Sequence, residues 1–288
     1  MIRPDCLIVF DVGGTALKSV LGHPGGGPVE GTFQSTPMPS SGTREQIASA
    51  FSSAVREQSR KAELLGENVS GVAVAVPGPF DFRGGVFLMR HKFSSVYGER
   101  LQDLCDNQLP FRYIHDVNAA LCGELSSWEN PVGTVALVTI GTGLGFAYAV
   151  DGSVQESESG SPAESIYNLP FRDGILEDYV SRRGILDAYA RIPGHVKGGD
   201  VADIAALAYS GDKAACRVFS EMGSILGEGI SPVLSRLGVD TLVLGGQISK
   251  SFSLFGYSLR KALPEGIRVK AMDDISGSAM KGAAALFS

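Results

Sequence analysis

The sequence predicts an α/β fold built from two related domains, and three observations carry that expectation. Short apolar strands alternate with amphipathic helices along most of the chain, as in α/β proteins that bind ligands at the carboxyl ends of their strands. A strand, Gly/Thr turn and second strand at residues 7–21 reappear in outline at residues 135–152, which points to a duplicated domain with a cleft between the copies. No linker or low-complexity tail separates independent pieces. The expected division is a smaller α/β domain, residues 1–117 with a C-terminal helix at about 276–288, and a larger one at 118–275.

Composition places the chain among globular proteins. Apolar residues make up 44% and charged residues 19% of 288, enough to bury a sizeable core. A net charge of −6 argues against a nucleic-acid surface, while leaving local phosphate binding to backbone amides and a bound metal. Cys6, Cys105, Cys122 and Cys216 form no Cys-x-x-Cys pair, so buried free thiols in a reducing, cytoplasmic compartment are expected. Asp5 and Asp11 interrupt the apolar stretch near the start, against a signal peptide. No apolar run approaches the roughly 20 residues of a membrane helix.

Each element follows from local pattern. Residues 7–10 and 16–21 are apolar strands on either side of Asp11-Val-Gly13-Gly14-Thr15, and residues 29–35 can add a third strand. Thr43 and Gln46 have capping-box spacing ahead of Ile47, Phe51, Ala54 and Val55, one face of a helix ending near Gly66. The apolar run 71–76, broken by Pro77-Gly78-Pro79, reads as a strand buried on both faces. Leu101, Leu104, Cys105 and Leu109 mark a helix, and residues 111–114 a strand that delivers His115-Asp116 to a helix over 117–128. The second half holds strands at 135–140 and 146–150, then helices through Ile192, from Val201, and up to Leu237. A strand over 240–244 meets Gly245-Gly246, and a helix with Phe252, Phe255 and Leu259 follows, capped by Ser249 or Ser251. Small residues from Ser278 to Phe287 form a last helix able to pack closely on another element.

The chemistry-bearing residues sit at strand ends. In the first turn Gly13 and Gly14 lack the Cβ atoms that would keep a ligand off the backbone, so its N–H groups can face an anionic oxygen. Thr15 and Lys18 can add side-chain donors, and Asp11 can hold a hydrated cation. The same residues also fit an ordinary hairpin. Gly141-Thr142-Gly143 and Gly245-Gly246 are two further turns of this kind. A P-loop, a dinucleotide fingerprint and a Gly-x-Ser-x-Gly elbow are all missing, and His23, His91, His115 and His195 lack metal-ligand spacing. Asp116, at a helix start, should have a lowered pKa. Such a weak base suffices in phosphoryl transfer, where a carboxylate orients a hydroxyl; the same position also suits a helix cap.

Taken together these residues resemble the ROK family of repressors, open reading frames and sugar kinases, within the actin-like (ribonuclease H-like) ATPase superfamily. Asp11-Val-Gly13-Gly14-Thr15 resembles its first phosphate motif, with the acid near Mg²⁺ through water. Val76-Pro-Gly78-Pro79 resembles the loop beside the sugar, and His115-Asp116-Val-Asn118-Ala-Ala120 the segment holding the catalytic base. Ile140-Gly141-Thr142-Gly143 is similar to the second phosphate motif, and Leu244-Gly245-Gly246-Gln-Ile248 to the turn under adenosine. The resemblance covers nearly the whole chain. It implies ATP and Mg²⁺, with Asp116 as catalytic base, and nucleotide contacts from Asp11, Gly13, Gly14, Thr15, Lys18, Gly141, Thr142, Gly143, Gly245 and Gly246. It implies sugar contacts from Gly78, Lys92, His115, Glu164, Tyr167 and Glu177. Homodimers are common in the family.

This chain departs from the family pattern in the sugar pocket. Tyr167 stands where a zinc-bound His is usual, and Asn168, Pro170 and Ile175 stand at the three cysteine positions, so no zinc is expected. His115 replaces the Asn before the base, and Lys92 or His91 falls near an Asn that meets the sugar. Donors able to carry charge imply a substrate other than plain glucose. The expected activity is ATP-dependent phosphorylation of a hexose, amino-sugar or glycoside hydroxyl, with no nucleic-acid or membrane partner. A catalytically impaired sugar sensor and a kinase for a non-sugar alcohol are the alternatives. With ten residues ahead of Asp11, the DNA-binding domain of the family's repressors is not expected.

Overall fold

The computed structural model describes residues 5–193 and 199–288; His195 lies outside them. In chain order come β1 (Asp5–Val12), β2 (Ala16–Gly22), β3 (Gln34–Pro37), α1 (Arg44–Leu65), β4 (Asn68–Val76), β5 (Phe80–Asp81), β6 (Val86–Phe87), β7 (Phe111–His115) and α2 (Asp116–Leu125). Then follow β8 (Thr134–Ile140), β9 (Leu144–Val150), β10 (Ser153–Val154), β11 (Pro170–Phe171), β12 (Gly174–Ile175), α3 (Glu177–Val180), α4 (Arg182–Ala190), α5 (Val201–Tyr209) and α6 (Lys213–Leu237). The chain closes with β13 (Thr241–Gly245), α7 (Phe252–Ala262), β14 (Arg268–Ala271) and α8 (Ile275–Ala284). Two compact units result: residues 1–130 with 156–163 and 274–288, and residues 131–155 with 164–273.

The duplication seen in the sequence is a duplication of topology. One sheet has the order β3-β2-β1-β4-β7 and the other β10-β9-β8-β13-β14. In each, three strands run antiparallel through hairpins and two more add in parallel. In the first unit β4 lies between β1 and β7, and its last six residues are all buried, as a continuous apolar strand requires. Ile8, Phe10, Val72 and Val74 pack in one cluster with Ile47, Phe51 and Val55 of α1. The Thr43 hydroxyl accepts from Gln46 N at 3.3 Å while the Gln46 side chain accepts from Thr43 N at 2.9 Å, and Gly66 ends the helix in the left-handed region at φ 74°.

The small-residue helix α8 packs on α2. A Cβ on Gly282 would strike the Ala119 carbonyl, and one on Gly123 the Ser278 carbonyl. Backbones therefore cross at a distance only glycine permits. This fixes α2, whose first residue is Asp116. In the second unit Val138, Ile140, Leu242 and Leu244 join Phe219, Leu226 and Phe255 in one core.

Several elements differ from the sequence expectation. The helix expected at 101–109 is one 3₁₀ turn, Leu101–Leu104, because Asn107 Oδ1 accepts from Leu109 N at 2.9 Å and turns the chain. The third strand begins at Gln34, not at 29, since Gly31 is left-handed at φ 77° and Thr32 Oγ1 donates back to Val29 O. Neither serine caps α7; the Ser249 hydroxyl donates to Gly246 O at 2.7 Å instead. Cys6 and Cys105 are buried, whereas Cys122 and Cys216 are half-buried. Edge strand β14 is four residues, Arg268–Ala271, alternating exposed and half-buried, too few to stand out from the surrounding chain. Among the described residues no helix is long and apolar enough to cross a membrane.

Candidate functional site

In the first unit the β1–β2 hairpin sets Asp11 opposite Lys18 in register. Lys18 Nζ donates to Asp11 Oδ2 at 2.9 Å and to Ser276 Oγ of α8 at 2.8 Å. The expected phosphate donor is thus held by a carboxylate and a hydroxyl. Burial pushes the Asp11 carboxyl above its usual range, and the Lys18 ammonium opposes this without cancelling it. Gly13 N donates to Ala16 O at 2.9 Å to close the turn. The Gly14 carbonyl accepts from Ser40 Oγ, and the Ser40 carbonyl accepts from Phe93 N at 2.6 Å. That pair of bonds brings Lys92 over the turn: a Cβ on Gly14 would stand 3.7 Å from Lys92 Cδ.

Asp116 is the first residue of α2, with His115 in the cap position. His115 Nδ1 lies 2.8 Å from Asp116 Oδ1 and 3.3 Å from Val117 N, while Val117 N also donates to Asp116 Oδ1 at 2.8 Å. The shorter contacts assign Nδ1–H as donor to the carboxylate. Burial disfavours the charge on Asp116, but the His115 ring, the Val117 N–H and the Lys92 ammonium together outweigh it and hold the carboxyl below its usual range. The direction matches the sequence expectation, and the neighbouring side chains supply most of it. The His115 ring lies 5.5 Å from that of Phe82, tilted 46° to it, and faces Gly78, where a Cβ would stand 3.3 Å from Nε2. Asn118 is fully buried and its amide donates to Glu156 Oε1 at 3.2 Å.

The second unit gathers the other two glycine turns. Gly141 N donates to Gly143 O at 3.0 Å, and Arg182 N donates to Gly141 O at 2.8 Å. Glu177, expected at the sugar, accepts at Oε2 from Leu144 N at 2.8 Å, and a Cβ on Gly143 would stand 2.8 Å from that same oxygen. Gly246, left-handed at φ 86°, lies so close to Ile140 that a side chain would strike its backbone. The turns at 141–143 and 245–246 are therefore one packed feature, with Thr139 and Met272 closing on Gly245. Glu164 is ion-paired with Arg236, and the half-exposed Tyr167 accepts from Glu177 N at 3.1 Å through its carbonyl. The hairpin β11–β12 holds two of the four positions that the resemblance associates with zinc, Pro170 and Ile175, as partners in register; Arg172 lies at its tip with φ 52°, over the Phe171 and Tyr179 rings.

The structure thus groups Asp11, Gly13, Gly14, Lys18, Lys92, His115, Asp116 and Gly78 in the first unit, and Gly141, Thr142, Gly143, Glu177, Gly245 and Gly246 in the second. Ser40 and Ser276, which anchor Gly14 and Lys18, were not legible beforehand. A serine far off in sequence carries no local mark of the turn it ties.

The chain is similar to known proteins over most of its length. N-acetylmannosamine kinase of Escherichia coli is 24% identical over 254 residues, 84% of this chain and 82% of that protein. A ROK family glucokinase from Streptomyces griseus, solved with glucose and AMPPNP, matches with a TM-score of 0.78 at 23% identity over 98% of this chain and 99% of that one. A ROK family transcriptional regulator, homologous to the E. coli MLC protein, matches at 0.80 and 19% identity over 98% of this chain and 78% of that one. Likenesses at these identities show a shared fold, the α/β actin-like ATPase fold. The ROK family model matches residues 7–287, and the chain belongs to the ROK family.

Proposed function

We propose that this protein transfers the γ-phosphoryl group of ATP to a hydroxyl of a sugar, be it a hexose, an amino sugar or a glycoside. The observation that carries the reading is the Asp116 carboxylate. One oxygen is fixed by His115 and the Val117 N–H, and the other has no protein partner among the described residues. That second oxygen can accept and orient a hydroxyl. The sugar oxygen then bonds to the γ-phosphorus as the bond from phosphorus to the β–γ bridging oxygen breaks. ADP leaves with that electron pair, and the hydroxyl proton passes to Asp116. A carboxylate of lowered pKa is a weak base, which is sufficient because the hydroxyl becomes acidic only as it bonds to phosphorus.

The Gly14 amide of the first turn and the Thr142 and Gly143 amides of the second, not used in closing those turns, are suited to phosphate oxygens, with the Thr15 and Thr142 hydroxyls as added donors. Gly245 and Gly246 suit the nucleoside, and Gly78 and His115 the acceptor. Asp11 fits a hydrated Mg²⁺: it is a half-buried carboxylate whose one cation partner leaves desolvation dominant, so further positive charge is favourable beside it. When bound, that ion neutralises β- and γ-phosphate charge.

The test is sugar-stimulated ADP release across a panel of hexoses, amino sugars, glycosides and polyols. Wild-type protein should respond to at least one member, and Asp116→Asn should lose about 10³-fold in kcat while binding nucleotide unchanged. Full turnover in the variant would sink the reading. One observation favours a second reading, a sugar sensor without transfer. Glu164, expected to accept from sugar hydroxyls, is already paired with Arg236. Measurable sugar binding with no ADP release from any panel member would select it.

A further inference from the structure

Lys92 carries more than the sugar contact implied by family resemblance. Its side chain is half-buried, with the stem over Gly14 and the charge acting on Asp116. Among the described residues its ammonium has no hydrogen-bond acceptor and no ion pair. An unpaired cation in a partly dry site is costly unless a ligand supplies the anion. Burial accordingly lowers its pKa, and Asp116 opposes that only in part.

The surrounding chain holds Lys92 in place. The next residue, Phe93, is fully buried with a left-handed backbone at φ 56°, its ring 5.1 Å from that of Phe87. Phe93 N is tied through Ser40 to the Gly14 carbonyl. The segment carrying Lys92 and the Gly13–Gly14 turn are therefore tied together through Ser40. Lys18, the other lysine at this turn, is committed to Asp11 and Ser276. Among the described residues Lys92 is the remaining ammonium beside both the turn and the hydroxyl-orienting carboxylate.

We infer that Lys92 is a catalytic residue whose ammonium binds the γ-phosphoryl group in transit between the Gly13–Gly14 turn and Asp116. This inference rests on the kinase reading and deepens it. Charge on the moving phosphoryl oxygens is met by a cation already in place, the contribution that preorganised donors make to phosphoryl transfer. A cation serving only the acceptor would instead mark an anionic sugar, and the experiment separates the two.

Lys92→Met keeps the stem's packing and removes the charge; Lys92→Arg keeps the charge. Two measurements are needed on wild type and both variants, with melting temperatures checking that each folds. The first is the ratio of ADP to AMPPNP dissociation constants, which needs no turnover. Lys92→Met should reduce the preference for AMPPNP roughly tenfold with ADP affinity unchanged, and Lys92→Arg should retain part of it. The second is steady-state kinetics with a responsive neutral sugar: kcat should fall roughly 100-fold in Lys92→Met with little change in sugar KM. An unchanged AMPPNP preference together with a raised sugar KM would overturn the inference in favour of an acceptor contact. If wild type turns over no sugar, the kinase reading fails, and the AMPPNP preference still decides the Lys92 contact.

Discussion

Glu177 Oε2 accepts a hydrogen bond from the Leu144 backbone N–H at 2.8 Å, which makes this carboxylate a brace for the Gly141–Gly143 turn. A charge-assisted bond to backbone holds the turn's amides in a fixed direction. Glu177→Ala should weaken nucleotide binding about tenfold and leave sugar KM nearly unchanged. Isothermal titration with AMPPNP and steady-state kinetics check both. A raised sugar KM at normal nucleotide affinity would return Glu177 to the acceptor.

His115 lowers the Asp116 pKa, and the sign of the pH effect follows. A carboxyl held below its usual range stays ionised as pH falls, so the acid limb of kcat/KM should lie below ordinary carboxylate values. The matching stability is present above the unfolded pKa and is lost as pH falls through the folded one. His115→Ala removes the largest lowering influence and leaves the effect of burial, so the acid limb should move to higher pH. His115→Asn, which can still donate one hydrogen bond, should move it less.

Gly282 lies against the Ala119 carbonyl where α8 crosses α2. Gly282→Val must push the helices apart, at a cost of about 1–3 kcal/mol. Because α2 carries Asp116, kcat should fall along with the melting temperature, even though residue 282 touches no ligand. Denaturant titration and kinetics on one preparation measure the two effects.

Removing divalent metal with EDTA should abolish turnover, and Mg²⁺ should restore it. Asp11→Asn should raise the Mg²⁺ concentration for half-maximal rate by at least about tenfold, the loss expected for a group supporting a metal. An unchanged Mg²⁺ requirement would separate Asp11 from the metal.

Zinc should be sub-stoichiometric in purified protein, and EDTA should leave the melting temperature unchanged. Tyr167, Asn168, Pro170 and Ile175 offer neither thiolate nor imidazole. Backbone pairing and the Arg172 stack hold β11–β12 in this structure. One zinc per chain by elemental analysis would contradict this.

The sequence by itself determined the repeated hairpins, the buried central strand, the capped helix α1 and the glycine turns. Each depends on neighbours within a few positions, where periodicity, capping spacing and missing Cβ atoms leave a local record. It also placed Asp116 at a helix start, which is enough to expect an ionised carboxylate. Tertiary structure decided the partners: Ser276 on Lys18, Ser40 between Gly14 and Phe93, Glu177 on the second phosphate turn, and Arg236 on Glu164. These contacts join residues tens to hundreds of positions apart, and one serine or glutamate in a sequence looks like another. What a charged side chain does is set by the charge that folding brings beside it.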